Sequence, residues 1–285
     1  MPLGMRYMIL SAFGFASMSV CVKLASSQSI PVLEIVAARA LVSLVLSYIS
    51  VRRNKLSPFG NKRVLLLARG LVGASALVCV YYSITHLPLA EATVLQYLHP
   101  MFTAVLAVIF LKERLKAPVL LCILLSFVGL ILVAKPEILF GLSSENLPGF
   151  AVIIAMLGAF GSAIAYVLVR KLNETEDPAV IILYFPLVAL PLSILLLWDD
   201  FVVPDFETTL ILILVGIFTQ VGQIGLTKSM QTETASRATS FSYLQVVFAA
   251  VFGWLIFSET PDLLVCLGAG FILLGSIVNV MFSKR

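Results

Sequence analysis

The chain has 285 residues, of which 60% are hydrophobic and only 12% charged, with a formal net charge of +4. Soluble domains are about 45–50% apolar and about 25% charged, so this composition excludes an ordinary water-soluble globule, and the surplus apolar surface has to face lipid. The basic excess forms no run of the nucleic-acid-binding type. The four cysteines, Cys21, Cys79, Cys122 and Cys266, sit inside apolar runs without metal-ligand spacing and read as small core residues.

A helix of about 20 apolar residues crosses a hydrocarbon core of about 30 Å. In chain order the sequence predicts ten such helices, near 6–25, 32–51, 64–84, 91–111, 117–134, 148–170, 179–198, 208–228, 236–257 and 262–282. The first lacks the basic flank of a cleavable signal and runs directly into further membrane segments. The second and third carry Arg39 and Arg69, whereas Ala117–Ala134, Leu147–Val169, Pro178–Trp198 and Thr208–Thr227 hold no charge at all. Short connectors are punctuated by turn residues such as Ser57-Pro58-Phe59-Gly60 and Asp177-Pro178. The longest, 52–63 and 135–147, are too short to be domains.

Orientation follows the placement of Lys and Arg in short loops. With the N-terminus in the cytosol, the basic residues gather on that side, from Arg6 through Arg52, Arg53, Lys112, Arg114, Arg170 and Lys228 to Arg285. Only Lys23 and Lys135 fall outside, where acids such as Asp199, Asp205, Glu207 and Asp262 collect. An even number of spans then puts both termini inside.

The two halves resemble each other at a separation of 146–147 residues. Ala12-Phe13-Gly14 recurs as Ala159-Phe160-Gly161, Ala92-Thr93 as Ala238-Thr239, Tyr97-Leu98 as Tyr243-Leu244, Glu113 as Glu259 and Gly129 as Gly275. Residues 1–140 and 147–285 therefore read as two five-helix repeats. An odd number of spans per repeat makes the second enter the membrane from the opposite side, an arrangement suited to alternating access.

The fourth helix places Thr93, Gln96, His99, Pro100 and Thr103 at helical spacing. His99 lies about eight residues into the span, or roughly 12 Å at 1.5 Å per residue. Pro100 removes a backbone donor and frees the carbonyl of Gln96, so an amide, an imidazole and a free carbonyl coincide. The repeat-mate positions are Thr239, Ser242, Gln245 and Ala249. Val246 replaces Pro100 in the second copy, so any mid-depth helix break is expected in the first half only. Gln220 and Gln223 need polar partners or water in an otherwise apolar span, and Tyr81, repeat mate of Thr227, is a candidate aromatic wall. Ligand contact is thus expected from Gln96, Tyr97, His99, Tyr81, Gln220, Gln223, Tyr243 and Gln245. The plainer reading of these groups is polar glue between helices.

Arg39 pairs with a carboxylate, with Glu34 as the candidate, or attracts an anionic substrate. Glu113 and Glu259, at equivalent helix ends, are expected to brace the hairpins between adjacent helices. No Ser/His/Asp set, P-loop or metal-spaced His/Cys cluster occurs, and the histidines are His86 and His99 alone. No enzymatic role, metal or cofactor is therefore expected. Energy for transport would come from exchange or an ion gradient, with His99 a candidate proton carrier because its ordinary pKa of about 6.5 is near working pH.

The block Pro88-Leu89-Ala90-Glu91-Ala92, Pro100 and Phe110-Leu111-Lys112-Glu113-Arg114-Leu115, with Gly129 beyond it, resembles the EamA-type members of the drug/metabolite transporter superfamily. A second copy runs through Ala235–Ala238 and Ser258-Glu259-Thr260-Pro261. Ala68-Arg69-Gly70-Leu71 and His86-Leu87-Pro88-Leu89-Ala90 are most similar to solute-carrier family 35 group G proteins and bacterial relatives. The resemblance implies a ten-helix bundle around a central cavity and transport of amino acids, organic anions, nucleotide-type metabolites or xenobiotics. The expectation is a multi-pass protein of a bacterial-type inner membrane, monomeric or homodimeric, exporting or exchanging a small polar metabolite. The rivals are a lipid-modifying membrane enzyme, which needs an interfacial cluster of Asp, His or Lys, and a structural membrane protein, which needs no midplane polar cluster.

Overall fold

The computed structural model describes residues 3–87, 89–134, 148–197, 201–258 and 261–282. Its helices are α1 (Leu3–Ser27), α2 (Val32–Arg53), α3 (Arg63–His86), α4 (Leu89–Gln96), α5 (His99–Phe110), α6 (Ala117–Ala134), α7 (Gly149–Leu172), α8 (Pro178–Leu196), α9 (Phe206–Thr232), α10 (Ala235–Ser240), α11 (Leu244–Phe257) and α12 (Leu263–Met281). They make up ten candidate membrane spans, at the ten predicted places. Helices are the natural outcome, because a chain in hydrocarbon must satisfy its backbone donors and acceptors internally. Aspartates start three of them. Asp177, Asp205 and Asp262 accept from the backbone N–H of Ala179, Thr208 and Val265. Outward side chains such as Leu71, Ile109, Phe110 and Leu195 remain exposed for lipid.

Two spans are interrupted, and at repeat-mate positions. The fourth breaks at Tyr97–Leu98, between α4 and α5, and the ninth at Phe241–Tyr243, between α10 and α11. The expectation that only the first half would break is corrected. Pro100 accounts for the first break. In the second, hydroxyls do the corresponding work by capturing carbonyls that would otherwise extend the helix. Thr239 donates to the Ala235 carbonyl at 2.9 Å, Ser240 to Arg237 at 2.8 Å and Ser242 to Thr239 at 2.7 Å. The backbone tightens there to bonds from Ser242 to Thr239 and from Leu244 to Phe241, the 3₁₀ pattern.

Helix pairs exchange when one half is mapped onto the other. α1 packs along α9, and its mate α7 packs along α3; α2 pairs with its own mate α8, and α6 with α12. The close crossings repeat the rule. A Cβ added to Gly14 would lie 2.8 Å from the backbone nitrogen of Gly222, with the Phe218 carbonyl oxygen at 3.1 Å. One added to Gly161 would meet Ala76 Cβ at 3.0 Å and approach the Val72 carbonyl. Val72 and Ala76 are the repeat mates of Phe218 and Gly222. At the α6–α12 crossing, a Cβ on Gly129 would sit 2.5 Å from the Gly268 carbonyl oxygen, and the reverse substitution is equally tight. Small residues here let backbones touch, which supplies packing where lipid provides no hydrophobic drive between helices.

Candidate functional site

The two helix breaks meet. Tyr243 is fully buried, and its hydroxyl donates to the carbonyl of its repeat mate Tyr97 at 2.9 Å, with ring centroids 5.8 Å apart. The break exposes the Tyr97 carbonyl, and a side chain from the other half satisfies it. Next to Tyr97, His99 opens α5. Its ring lies 5.7 Å from that of Tyr97 and edge-on to Tyr166 of α7 at 5.2 Å. His99 is 6% exposed and its Nδ1 has no partner. The break also means that Gln96 and His99 belong to different helices rather than to one continuous face. Gln96 is half-buried at the end of α4, and Gln245 is half-buried in the first turn of α11.

Tyr166 links this group to two cations. It lies within electrostatic reach of both Arg69 and Arg39. Arg69 is 3% exposed; its Nη2 donates to Gln223 Oε1 at 3.2 Å, while Nε and Nη1 have no partner. Arg39, also buried, donates from Nη1 to the sulfur of Met18, at 3.7 Å. Both guanidiniums lie against the ring of Phe185, at 5.0 Å for Arg69 and 5.7 Å for Arg39. Neither arginine forms an ion pair with a described residue. The anticipated pairing of Arg39 with Glu34 is corrected: the Glu34 carboxylate accepts from the Val202 backbone N–H at 3.0 Å. Glu34 starts α2 and faces the connector before α9, so it is occupied there.

These arginines carry an electrostatic deficit. A charged side chain mid-span costs about 3 kcal/mol on insertion scales, and removing its partner when buried costs several more. A desolvated cation–π contact returns about 2 kcal/mol of this. Among the described residues the cluster therefore holds positive charge that no carboxylate offsets. Gln220 adds to the cluster. Its Nε2 donates to Ser47 Oγ at 2.9 Å and its Oε1 is left without a partner. Sequence reasoning missed Arg69, Tyr166 and Phe185 as site residues. The signal for Arg69 was present, an arginine within an apolar span, but nothing in a one-dimensional pattern brings Tyr166 and Phe185 to it. The side chain of Tyr81, and Glu259 altogether, lie outside the described residues.

A separate cavity stands apart from this cluster. It measures about 520 Å³ between α2, α8, α9 and segment 201–204, and is lined by apolar residues that include Leu41, Ile194, Phe201 and Ile213. Leu41, Ile194 and Ile213 are all at least 40% exposed, so this is a lateral cleft toward lipid.

At the end of the bundle that holds connectors 54–62, 111–116, 173–177 and 233–234, two glutamates cap helices of the opposite half. Glu113 accepts from Ala235 N at 2.9 Å, Ser236 N at 3.4 Å and Ser236 Oγ at 3.1 Å, and lies 3.6 Å from Arg170. It braces α10 and α7 across the halves, not a hairpin of neighbouring helices. Glu176 accepts from the backbone of Asn61 at 2.8 Å and Lys62 at 2.5 Å, at the start of α3. Neither α3 nor α10 has a side-chain cap of its own. The borrowed carboxylates satisfy orphan N–H groups at the positive end of a helix dipole.

Comparison with known proteins agrees with this architecture. The EamA-like transporter family matches residues 2–135 and 149–281. The chain is 34% identical over 275 residues to the pseudopaline exporter CntI of Pseudomonas aeruginosa, covering 96% of this chain and 94% of that one. It is 32% identical over 276 residues to solute carrier family 35 member G1 of Mus musculus, covering 91% of this chain and 73% of the relative. A crystal structure at 17% identity superposes with a TM-score of 0.79 over 97% of this chain, and shows the fold alone. The chain is a multi-pass integral membrane protein, and it belongs to the EamA-like transporter family.

Proposed function

We propose that this protein is a secondary transporter that moves a small polar metabolite by alternating access, and that its two five-helix halves are inverted repeats with both termini in the cytosol. The observation that carries this reading is the meeting of both broken spans at one buried polar cluster. There, Arg69 of α3, His99 of α5 and Gln220 of α9 hold partnerless polar atoms. Broken helices at mid-depth are found where irregular backbone lines a binding site, and inverted repeats give the same packing alternatives at both membrane faces. The exchange of helix contacts under the repeat mapping supports the inverted arrangement. The capped end, closed by Glu113 and Glu176, is on the basic side of the chain.

Gln96, His99, Gln220, Gln223 and Gln245 are the proposed ligand contacts. Tyr97 and Tyr243 hold each other across the breaks and position that set. Transport rather than catalysis is supported by the named activities of the relatives, and a bacterial inner membrane by the Pseudomonas exporter among them. Exchange or proton coupling would supply the energy, in a monomer or homodimer. The test is solute flux in proteoliposomes. Saturable flux that falls in His99→Ala, Gln96→Ala and Gln220→Ala supports the site, whereas wild-type rates in all three sink it.

A further inference from the structure

Resting on that transporter reading, we propose that the transported solute carries an anionic group, a carboxylate or a phosphate, and that Arg69 and Arg39 grip it beside Phe185. Arg69 is almost wholly buried, and two of its three guanidinium nitrogens have no partner. Arg39 spends one nitrogen on a thioether, a weak acceptor. No described carboxylate neutralises either cation, although the chain does place carboxylates elsewhere on its backbone amides. At 5.0 and 5.7 Å from one ring centroid, the two guanidiniums lie within about 11 Å of each other, so one small solute spans them.

The surroundings fit that role. Gln223 fixes one edge of Arg69 through Nη2 and leaves its other donors free. Gly73 stands where a Cβ would press on the Phe185 ring at 3.2 Å and approach Arg69 Nη1 at 3.8 Å, which keeps space open beside the guanidinium. Tyr166 stands within electrostatic reach of both cations, and His99, with an unpartnered ring nitrogen, packs on Tyr166 at 5.2 Å. A planar guanidinium suits the paired oxygens of carboxylate and phosphate. A neutral or cationic solute would leave two cations uncompensated in the membrane.

The experiment expresses the full chain and Arg69→Gln, Arg69→Lys and Arg39→Gln forms in Escherichia coli. Untargeted mass spectrometry then measures solutes that accumulate in or disappear from the medium, relative to empty vector. Size-exclusion profiles of the solubilised proteins show that each variant folds. The expected result is that every solute moved by the wild-type chain is an anion. Its flux should fall about tenfold or more in Arg69→Gln and less in Arg69→Lys, as loss and retention of a charge-assisted contact predict. The masses then separate carboxylates from phosphates. Should wild-type flux be of neutral or cationic solutes, or of anions indifferent to both arginine-to-glutamine changes in folded protein, the proposal is overturned and the transporter reading stands. If wild-type protein in the membrane moves no solute at all, both readings fall together.

Discussion

Glu176 is the most informative residue to perturb, because it ties the two halves together with few atoms. Its side chain belongs to the connector between α7 and α8, is 6% exposed, and accepts from two backbone amides at the start of α3. Beside it, Asn61 Nδ2 donates to the Thr175 carbonyl at 3.3 Å, and Tyr184 donates to the Phe59 carbonyl at 3.0 Å. A transporter that opens at this end has to part these groups. Glu176→Gln keeps the shape and one acceptor but removes the charge. A hydrogen bond to a charged group is worth about 1.5–3 kcal/mol against about 1 kcal/mol for a neutral one. Two weakened bonds therefore cost about 2–3 kcal/mol, part of which water recovers once the end opens. At 1.4 kcal/mol per decade, an equilibrium between closed and open forms moves by roughly 30–100-fold toward open.

A reporter exists at the same end. Thr227 is fully buried, and its carbonyl accepts from Asn173 of the connector that carries Glu176, at 2.9 Å. In a background stripped of the four native cysteines, Thr227→Cys should react slowly with an impermeant maleimide added from the basic side in inverted vesicles. Adding Glu176→Gln should accelerate labelling by roughly 30-fold or more. Glu113→Gln should act in the same direction, since Glu113 joins α10 and α7 in the same way. Labelling within about twofold of the parent in both variants would refute the view that these carboxylates hold this end shut. Labelling that is already fast in the parent would show that this end stands open at rest.

Other consequences are simpler. Gly129→Val should disrupt the α6–α12 crossing, where even a methyl would sit 2.5 Å from a backbone carbonyl; a cost of about 3 kcal/mol or more should appear as aggregation in detergent or a markedly lower Tm. Tyr243→Phe strands the buried Tyr97 carbonyl and should cost about 1–2 kcal/mol, read as a Tm drop of about 3–6 °C. Asp205 caps α9 outside the membrane, and its hydrogen bonds from Thr208 hold its pKa below the ordinary aspartate value. A depressed carboxylate contributes stability above its unfolded pKa and loses it as pH falls through the folded one. Wild type should thus exceed Asp205→Asn in Tm near neutrality, and the gap should close in acid; a gap that widens in acid would contradict the capping role.

The fold was legible because the membrane imposes a coarse grammar. Ten apolar runs and their turn residues place ten spans, and the recurrence of Ala12-Phe13-Gly14 as Ala159-Phe160-Gly161 already points to matched crossings. The break in the ninth span was missed, because Pro100 advertises its effect while Thr239, Ser240 and Ser242 act only through side-chain bonds that depend on burial. The site was legible in part. Glutamines and a histidine in apolar spans mark themselves by their desolvation cost. The partner of a buried arginine is another matter. Glu34, five residues from Arg39, is the natural guess from the sequence, yet the fold spends it on the Val202 backbone.

The repeat also explains why this cluster sits where it does. Arg39 and Phe185 are 146 residues apart and touch, as do the mates Tyr97 and Tyr243. If the halves are inverted repeats, as proposed, residues that contact their own mates lie near the axis relating the halves, which places that axis through the cluster. A site on such an axis is equidistant from equivalent packing surfaces at the two ends, so opening one end or the other exposes the same groups. The chemistry, however, is not duplicated. Arg39 faces Phe185 rather than a second arginine, Arg69 has Val215 as its mate, and His99 has Gln245. Two copies of the arginine pair would place four uncompensated cations at mid-depth, at about 3 kcal/mol each, and a small anion neutralises only one or two. On the proposed reading, symmetric packing with one-sided charge lets both ends reach a site that a single solute can neutralise. It predicts that moving the cation across the axis, in the double variant Arg39→Phe with Phe185→Arg, should restore flux lost in Arg39→Phe alone. Failure of the double variant, in protein that folds, would mean that the cation's place in the sequence, rather than its position on the axis, is what the site requires.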